Sequence, residues 1–157
     1  MPGAWFEYCW KCSARSVGSG IFYMKRKTIL AVDDDAVVLR ALTIKLEAKG
    51  YHIVPAMDGS QAVSAVRTQK PDLILLDLSF PPEMGGIQWD GFRIMEWLKR
   101  VDEAAKIPII VVSGAEPEKY ESRVLESGAA AFIHKPIDHD ELLVLIRQSL
   151  GEAPVAA

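Results

Sequence analysis

The sequence predicts an α/β fold: a doubly wound, five-stranded parallel sheet with helices on both faces. Short apolar runs alternate five times with segments whose apolar residues recur at helical spacing. Most of these runs are continuously apolar, which is typical of strands covered on both faces. Polar residues follow several of the runs directly, and ligands in such folds bind at the carboxyl ends of the strands.

Each predicted strand is a short apolar run bounded by polar or turn-forming residues. The third and fourth runs, LILL and IPIIVV, contain no polar residue, as expected for strands buried on both faces. In chain order, the strands are predicted over residues 28–32, 51–55, 73–76, 107–112 and 130–133.

Each predicted helix begins at a residue that favours helix N-termini. Aspartates suit four of these starts, because their side chains accept hydrogen bonds from the first turn. Pro117 suits the first turn of the fourth helix. Gly or Pro marks most of the helix ends. The aspartates assigned to the caps are Asp35, Asp58, Asp90 and Asp138. In chain order, the helices are predicted over residues 36–49, 58–71, 90–101, 117–128 and 138–151.

Composition indicates an ordinary soluble globular protein. Of the 157 residues, 50% are apolar and 25% are charged, which favours one domain with a substantial core. A net charge of −3 lacks the excess of positive charge that is typical of proteins that bind nucleic acid or an anionic membrane. No apolar run reaches membrane-spanning length. We therefore expect a cytoplasmic protein with no nucleic-acid partner and no membrane partner.

The two ends of the chain differ from its middle. Residues 1–24 are expected to be a flexible, non-core N-terminal extension, because the stretch SARSVGSG has neither a helical nor a strand period. Residues 25–150 form the predicted domain, and residues 151–157 form a short C-terminal tail. Cys9 and Cys12 lie in the extension without a second pair to complete a zinc site, so we interpret them as incidental.

Four predicted strands end at, or are followed by, side chains that suit one site. The residues are Asp33 and Asp34, Asp77, Ser113 and Lys135. Oxygen ligands suit a hard cation such as Mg²⁺, which takes one or two carboxylates and keeps water and phosphate oxygens. A metal beside a carboxylate, a hydroxyl and an ammonium group forms a phosphoryl-transfer site with the carboxylate as nucleophile. We predict Mg²⁺ and no organic cofactor, because the chain lacks a GxxxxGK[ST] loop for a nucleotide.

These strand ends resemble those of a known family. The segments ILAVDDD, DLILLDL, IIVVSGA and AFIHKPI, in this order and spacing, are similar to the receiver domain of two-component response regulators over residues 27–150. The resemblance implies a flavodoxin-like receiver fold and a phosphoprotein of a phosphorelay. It would accept a phosphoryl group, as an aspartyl phosphate, from a sensor histidine kinase or a histidine phosphotransfer protein.

The resemblance also implies how such a protein signals. Its output would be phosphorylation-dependent binding to an unidentified output protein, without an enzymatic activity beyond its own phosphorylation and dephosphorylation. Little chain follows the last predicted helix, so we expect a single-domain response regulator. A homodimer through the fourth helix, fifth strand and fifth helix is left open.

Each site residue acquires a role from this resemblance. Asp77 would be the phosphoacceptor and a metal ligand. Asp34 would be the more direct Mg²⁺ ligand and Asp33 would act mainly through water. The backbone carbonyl of Ser79 would complete the protein's share of the metal ligands.

Three further residues would respond to the phosphoryl group. Ser113 would be the switch hydroxyl, and Lys135 would bridge first the acceptor and then the phosphoryl group. Phe132 stands at the aromatic switch position, where it lacks a hydroxyl and would act by packing. Pro136 stands where the family often has a cis peptide bond.

The loop after the acceptor departs from the family pattern. Residues 79–89 are rich in Pro and Gly and place Asp90 several positions late. This insertion could cover the phosphoryl group, alter its hydrolysis or form a partner surface. Trp89 and Trp97 are expected to pack the loop onto its own helix.

Two other functions stay open from the residues alone. Asp33, Asp35 and Val37 match the DxDx[TV] pattern of haloacid-dehalogenase-type phosphatases, in which Asp33 would be the nucleophile. The chain shows no cap-domain insertion to support that function. A receiver-like binding module that signals without phosphate is the other alternative, with the inserted loop shielding Asp77.

Overall fold

The computed structural model describes residues 25–79, 90–114 and 116–152. Within them, the strands pair in one parallel sheet in the order β2-β1-β3-β4-β5, which confirms the predicted fold class. The strands are β1 (Thr28–Val32), β2 (His52–Ala56), β3 (Leu73–Leu76), β4 (Ile109–Ser113) and β5 (Ala131–His134). The helices are α1 (Ala36–Glu47), α2 (Gly59–Gln69), α3 (Gly91–Arg100), α4 (Pro117–Glu126) and α5 (His139–Leu150).

Some of the predicted features lie outside the described residues. These are the N-terminal extension with Cys9 and Cys12, the loop residues 80–89 with Trp89, and the last five residues of the C-terminal tail.

Aspartate caps begin four of the helices, as the sequence predicts. The side chains of Asp35, Asp58, Asp90 and Asp138 each accept a backbone N–H from the first turn, at distances between 2.7 and 2.9 Å. A cap of this kind typically stabilises a helix by about 1 kcal/mol. The start of α4 differs, because Glu116 makes no side-chain cap hydrogen bond there.

Three strands begin later than the sequence predicts: β5 begins at Ala131 rather than at residue 130, and a local turn delays the start of β2 and of β4. Tyr51 donates its N–H to Leu46 at the end of α1 (3.2 Å), so β2 begins at His52. Ile107 donates to Ala104 (3.0 Å) and closes a turn before β4 begins at Ile109. In both places a local backbone hydrogen bond competes successfully with the sheet.

Two apolar clusters cover the two faces of the sheet. On one face, α1 and α5 pack against alternate residues of the strands, including Ile29 and Ala31 of β1. On the other face, α2, α3 and α4 pack against Leu30 and Val32. Both faces of β1 and β3 are therefore buried, which explains their continuous apolar sequences. No helix among the described residues is long and apolar enough to cross a membrane.

Substitutions in α1 test the orientation of this helix. Leu46 is 2% exposed and Ile44 is 58% exposed. We expect Leu46→Ala to lower the free energy of unfolding by about 2–5 kcal/mol, because it removes buried methyl groups and leaves a cavity. Ile44→Ala is the matched control and should change it by less than about 0.5 kcal/mol. If urea denaturation shows the same loss of unfolding free energy for both variants, the buried and exposed faces of α1 are assigned wrongly.

Candidate functional site

Strand pairing fixes the positions of two carboxylates at one edge of the sheet. Asp33 follows β1, and its N–H donates to the carbonyl of Ala56 (3.1 Å). Asp77 follows β3, and its N–H donates to the carbonyl of Val32 (2.9 Å). Because β1 and β3 are neighbours, both aspartates leave the sheet side by side.

Lys135 lies between these carboxylates. Its Nζ is 2.6 Å from Asp33 Oδ2 and 3.4 Å from Asp77 Oδ2. Its N–H donates to the carbonyl of Ser113 (2.9 Å), which ties the residue to the end of β4. Asp33 and Asp77 are each only 4% exposed, so the ion pairs are largely withdrawn from water. One ammonium group cannot neutralise two carboxylates, and the pocket keeps a net negative charge.

A third carboxylate completes an acidic cluster that can hold a metal ion. One oxygen atom from each of Asp33, Asp34 and Asp77 lies within 4.8 Å of the others. Asp34 is exposed, so a metal at this place would face water on that side. An oxygen-only donor set that leaves room for water fits Mg²⁺ better than a softer metal. We call Asp33, Asp34, Asp77 and Lys135 the acid pocket.

Burial raises the pKa of the Asp77 carboxyl above its ordinary value, and the charge of Asp33 adds to this effect. The Ser79 N–H, which donates to Asp77 Oδ1 (3.2 Å), and Lys135 act in the opposite direction. Burial alone would lower the pKa of Lys135, but the two carboxylates outweigh it and raise that pKa. Lys135 is therefore an ammonium ion at neutral pH, while the ionised Asp77 lacks full compensation until a cation binds.

Asp35 caps α1, as predicted, and also orients a member of the acid pocket. Its N–H donates to Asp33 Oδ1 (2.9 Å), while its side chain caps the helix. Both oxygens of Asp33 therefore have hydrogen-bond donors, one from the backbone and one from Lys135. These two hydrogen bonds fix the orientation of the Asp33 carboxylate.

The other predicted residues lie along the neighbouring strands. Ser113 is fully buried at the end of β4, and β5 pairs with β4 beside it. Phe132 of β5 is half-buried and packs against the cluster formed by α2, α3 and α4. The Lys135–Pro136 peptide bond is cis, as the resemblance implies. The described contact of Ser79 with the pocket is through its N–H, so the role of its carbonyl stays a prediction.

Gly91 packs against Asp77 in a way that the sequence did not reveal. A Cβ atom at this first residue of α3 would lie 2.7 Å from both the carbonyl oxygen of Asp77 and the Cα of Leu78. Its N–H also points to the carbonyl of Leu78 (3.4 Å). Only the pairing of Asp90 with Gly91 at a helix start hinted at this close approach. The first turn of α3 therefore packs directly against the backbone of Asp77 and Leu78.

Comparisons with known proteins agree with this geometry. A family model described as the response regulator receiver domain matches residues 29–147. The polar-differentiation response regulator DivK of Brucella anthropi is 32% identical over 127 residues, which cover 81% of this chain and 98% of that protein. A response regulator receiver protein from Pseudomonas putida has 30% identity and a TM-score of 0.70, covering 79% of this chain and 98% of its own. A CheY-like receiver domain protein from Methanospirillum hungatei JF-1 has 26% identity and a TM-score of 0.71, and the match covers 81% of this chain and 95% of that protein.

Removing the charge of Asp77 should stabilise the metal-free protein. A raised carboxyl pKa means that ionisation is less favourable in the folded chain than in the unfolded chain, so the charge lowers stability above that pKa. We expect Asp77→Asn to unfold at a higher urea concentration than wild type at pH 7 in EDTA. Added Mg²⁺ should stabilise the wild type more than the variant and shrink this difference.

Asp34→Asn is the matched control for this measurement. Asp34 is exposed, so the loss of its charge should leave stability in EDTA nearly unchanged while still reducing the stabilisation by Mg²⁺. A less stable Asp77→Asn protein in EDTA would contradict the electrostatic description of the pocket.

A methyl group at position 91 should displace the backbone of Asp77. We expect Gly91→Ala to lower the free energy of unfolding by about 1–3 kcal/mol, because the new Cβ meets backbone atoms rather than a flexible side chain. It should also weaken Mg²⁺ binding, measured by the metal-dependent shift in melting temperature. Gly114→Ala is the control for stability, since a Cβ there meets nothing within 4 Å. Unchanged Mg²⁺ binding in Gly91→Ala would show that this contact does not position Asp77.

Proposed function

Because the chain belongs to the family of response regulator receiver domains, we propose that it accepts a phosphoryl group on Asp77 within a two-component phosphorelay. The observation that carries this proposal is the placement of Asp77: it is buried, adjoins Lys135 and lies in a cluster of three carboxylates. A sensor histidine kinase or a histidine phosphotransfer protein is the proposed donor.

In the transfer step, a carboxylate oxygen of Asp77 attacks the phosphorus of a phosphohistidine. The new oxygen–phosphorus bond forms as the phosphorus–nitrogen bond breaks, and the imidazole nitrogen leaves with the bonding electron pair. Asp33, Asp34 and Asp77, with the Ser79 carbonyl, would hold Mg²⁺. When bound, the metal supplies positive charge against the phosphoryl oxygens.

Lys135 and Ser113 would stabilise the product. The ammonium group already spans Asp33 and Asp77, so a small movement brings it to a phosphoryl oxygen. The Ser113 hydroxyl, at the end of β4, would donate to another of these oxygens. The phosphoryl group would then favour a second arrangement of the elements that follow, with Phe132 responding by packing.

The proposed output is binding to another protein rather than catalysis on a separate substrate. We place this function in the cytoplasm. Residues 25–150 would form the receiver domain, and residues 1–24 would be an extension outside it. A homodimer is compatible with this function. A receiver-like module that binds its partner without phosphate is the alternative that the experiment below distinguishes.

The phosphatase alternative is not supported. The matching family model describes receivers, not haloacid-dehalogenase-type enzymes.

Peptide mass spectrometry tests the acceptor directly. After incubation with acetyl phosphate and Mg²⁺, we expect one added phosphoryl group on the peptide that contains Asp77. Asp77→Asn should remove this label, and EDTA should prevent it in the wild type. Asp33→Asn should slow labelling but leave it on Asp77, because Asp33 supports the metal without forming the bond.

Two results would reject the proposal. A phosphoryl group on Asp33 would identify a different nucleophile and revive the phosphatase function. No label in a folded protein that binds Mg²⁺ would favour the phosphate-independent module.

A further inference from the structure

We propose that Phe92 couples the acid pocket to α4 by a contact between α3 and α4, so that Phe92 is a positioning residue for the response to phosphorylation. This coupling builds on the proposed function, in which Asp77 carries the phosphoryl group. It would act in addition to any packing change at Phe132.

The first part of the coupling is the contact between α3 and the acceptor. Gly91 packs so closely on Asp77 and Leu78 that a Cβ atom would not fit. Phe92 is the next residue, in the same first turn of α3. A displacement of the Asp77 backbone therefore cannot leave the Phe92 ring in place unless the start of α3 deforms.

The second part is the contact between Phe92 and α4. The Phe92 ring centroid is 6.5 Å from that of Tyr120, and the rings are inclined by 36°. The guanidinium carbon of Arg123 lies 4.1 Å from the Phe92 ring centroid. A cation over an aromatic face at this distance contributes about 0.5–1 kcal/mol at an exposed site. Phe92 therefore contacts two residues of α4, one turn apart.

These contacts matter because α4 has fewer described buried residues than the other helices. Among the α4 residues whose burial is described, Val124 alone is fully buried, whereas α1, α2, α3 and α5 each bury at least three residues. Elements with few buried apolar contacts open or shift most easily. The contacts of Phe92 therefore add to the packing of Val124 in holding α4 in place.

Coupling of this kind is reciprocal. If a phosphoryl group at Asp77 shifts the equilibrium between two arrangements of α4, then a substitution that shifts this equilibrium must also change the affinity of the acid pocket for a phosphoryl group. Coupling requires that the contacts of Phe92 with α4 weaken when a phosphoryl group shifts α4, so that they stabilise the arrangement without it. Removing them should therefore favour binding of a phosphoryl analogue.

Arg123→Met tests this consequence. Methionine keeps an apolar stem but removes the cation over the Phe92 ring. The probe is beryllium trifluoride with Mg²⁺, and the readout is the NMR signal of the Ser79 amide, whose N–H donates to Asp77 Oδ1. We expect the variant to bind the probe about threefold or more tightly than wild type. Phe92→Leu should act in the same direction, and the double variant should gain little beyond either single change.

Arg67→Met is the matched control. Arg67 of α2 lies 5.5 Å from the ring centroid of Trp97, which is also in α3 but further from Asp77. This substitution removes the same kind of contact from the same helix and should leave probe affinity unchanged. The coupling is rejected if Arg123→Met leaves affinity unchanged or lowers it, or if Arg67→Met has an equal effect. It is also rejected if Phe132→Leu alters affinity while Arg123→Met does not.

The wild-type titration separates this proposal from the proposed function. If wild type fails to bind the probe, the function assigned to Asp77 fails. If wild type binds it and the Arg123 and Phe92 variants behave like wild type, only the coupling fails.

Discussion

The site depends on two buried carboxylates that share one ammonium group. Asp33 and Asp77 are each almost fully withdrawn from water, and Lys135 is the cation between them. Buried charges are tolerated only when they are paired and hydrogen-bonded. Here the pairing is incomplete, since two negative charges and an adjacent third, on Asp34, face one positive charge. A divalent cation would relieve this imbalance, so the same electrostatic constraint supports both the proposed metal and the proposed reactivity of Asp77.

The parallel sheet allows this concentration of charge to form from distant parts of the chain. Asp33 and Lys135 are 102 positions apart in sequence, yet their side chains are in contact. The order β2-β1-β3-β4-β5 places the ends of β1, β3 and β4 side by side. Apolar side chains on both faces of the sheet hold these strands in register. The stability of the core thus maintains a locally unfavourable arrangement of charges, as functional sites commonly require.

Much of this architecture could be predicted from local patterns. The continuous apolar sequence of β3 requires cover on both faces, and a carboxylate directly after it must lie at the edge where ligands bind. Asp35 was recognisable as a helix cap from its position alone. Asp33, Asp77 and Lys135 could be grouped because parallel strands bring their carboxyl ends together.

Other features required the three-dimensional structure. The start of β4 depends on a turn in which Ile107 hydrogen-bonds to Ala104, which the apolar sequence of this segment does not reveal. The close approach of Gly91 to Asp77 and the contact of Arg123 with Phe92 arise from how α3 sits between β3 and α4. Such contacts depend on packing between elements, and residue periodicity within one element carries no information about them.

A crystal structure with Mg²⁺ and beryllium trifluoride would test the central claim most directly, because it locates the acceptor atom and the metal together. We predict that beryllium is bonded to a carboxylate oxygen of Asp77, that the metal contacts Asp34 and Asp77, and that Lys135 is directed at a fluoride. Beryllium on Asp33, or a metal bound away from these carboxylates, would contradict the account.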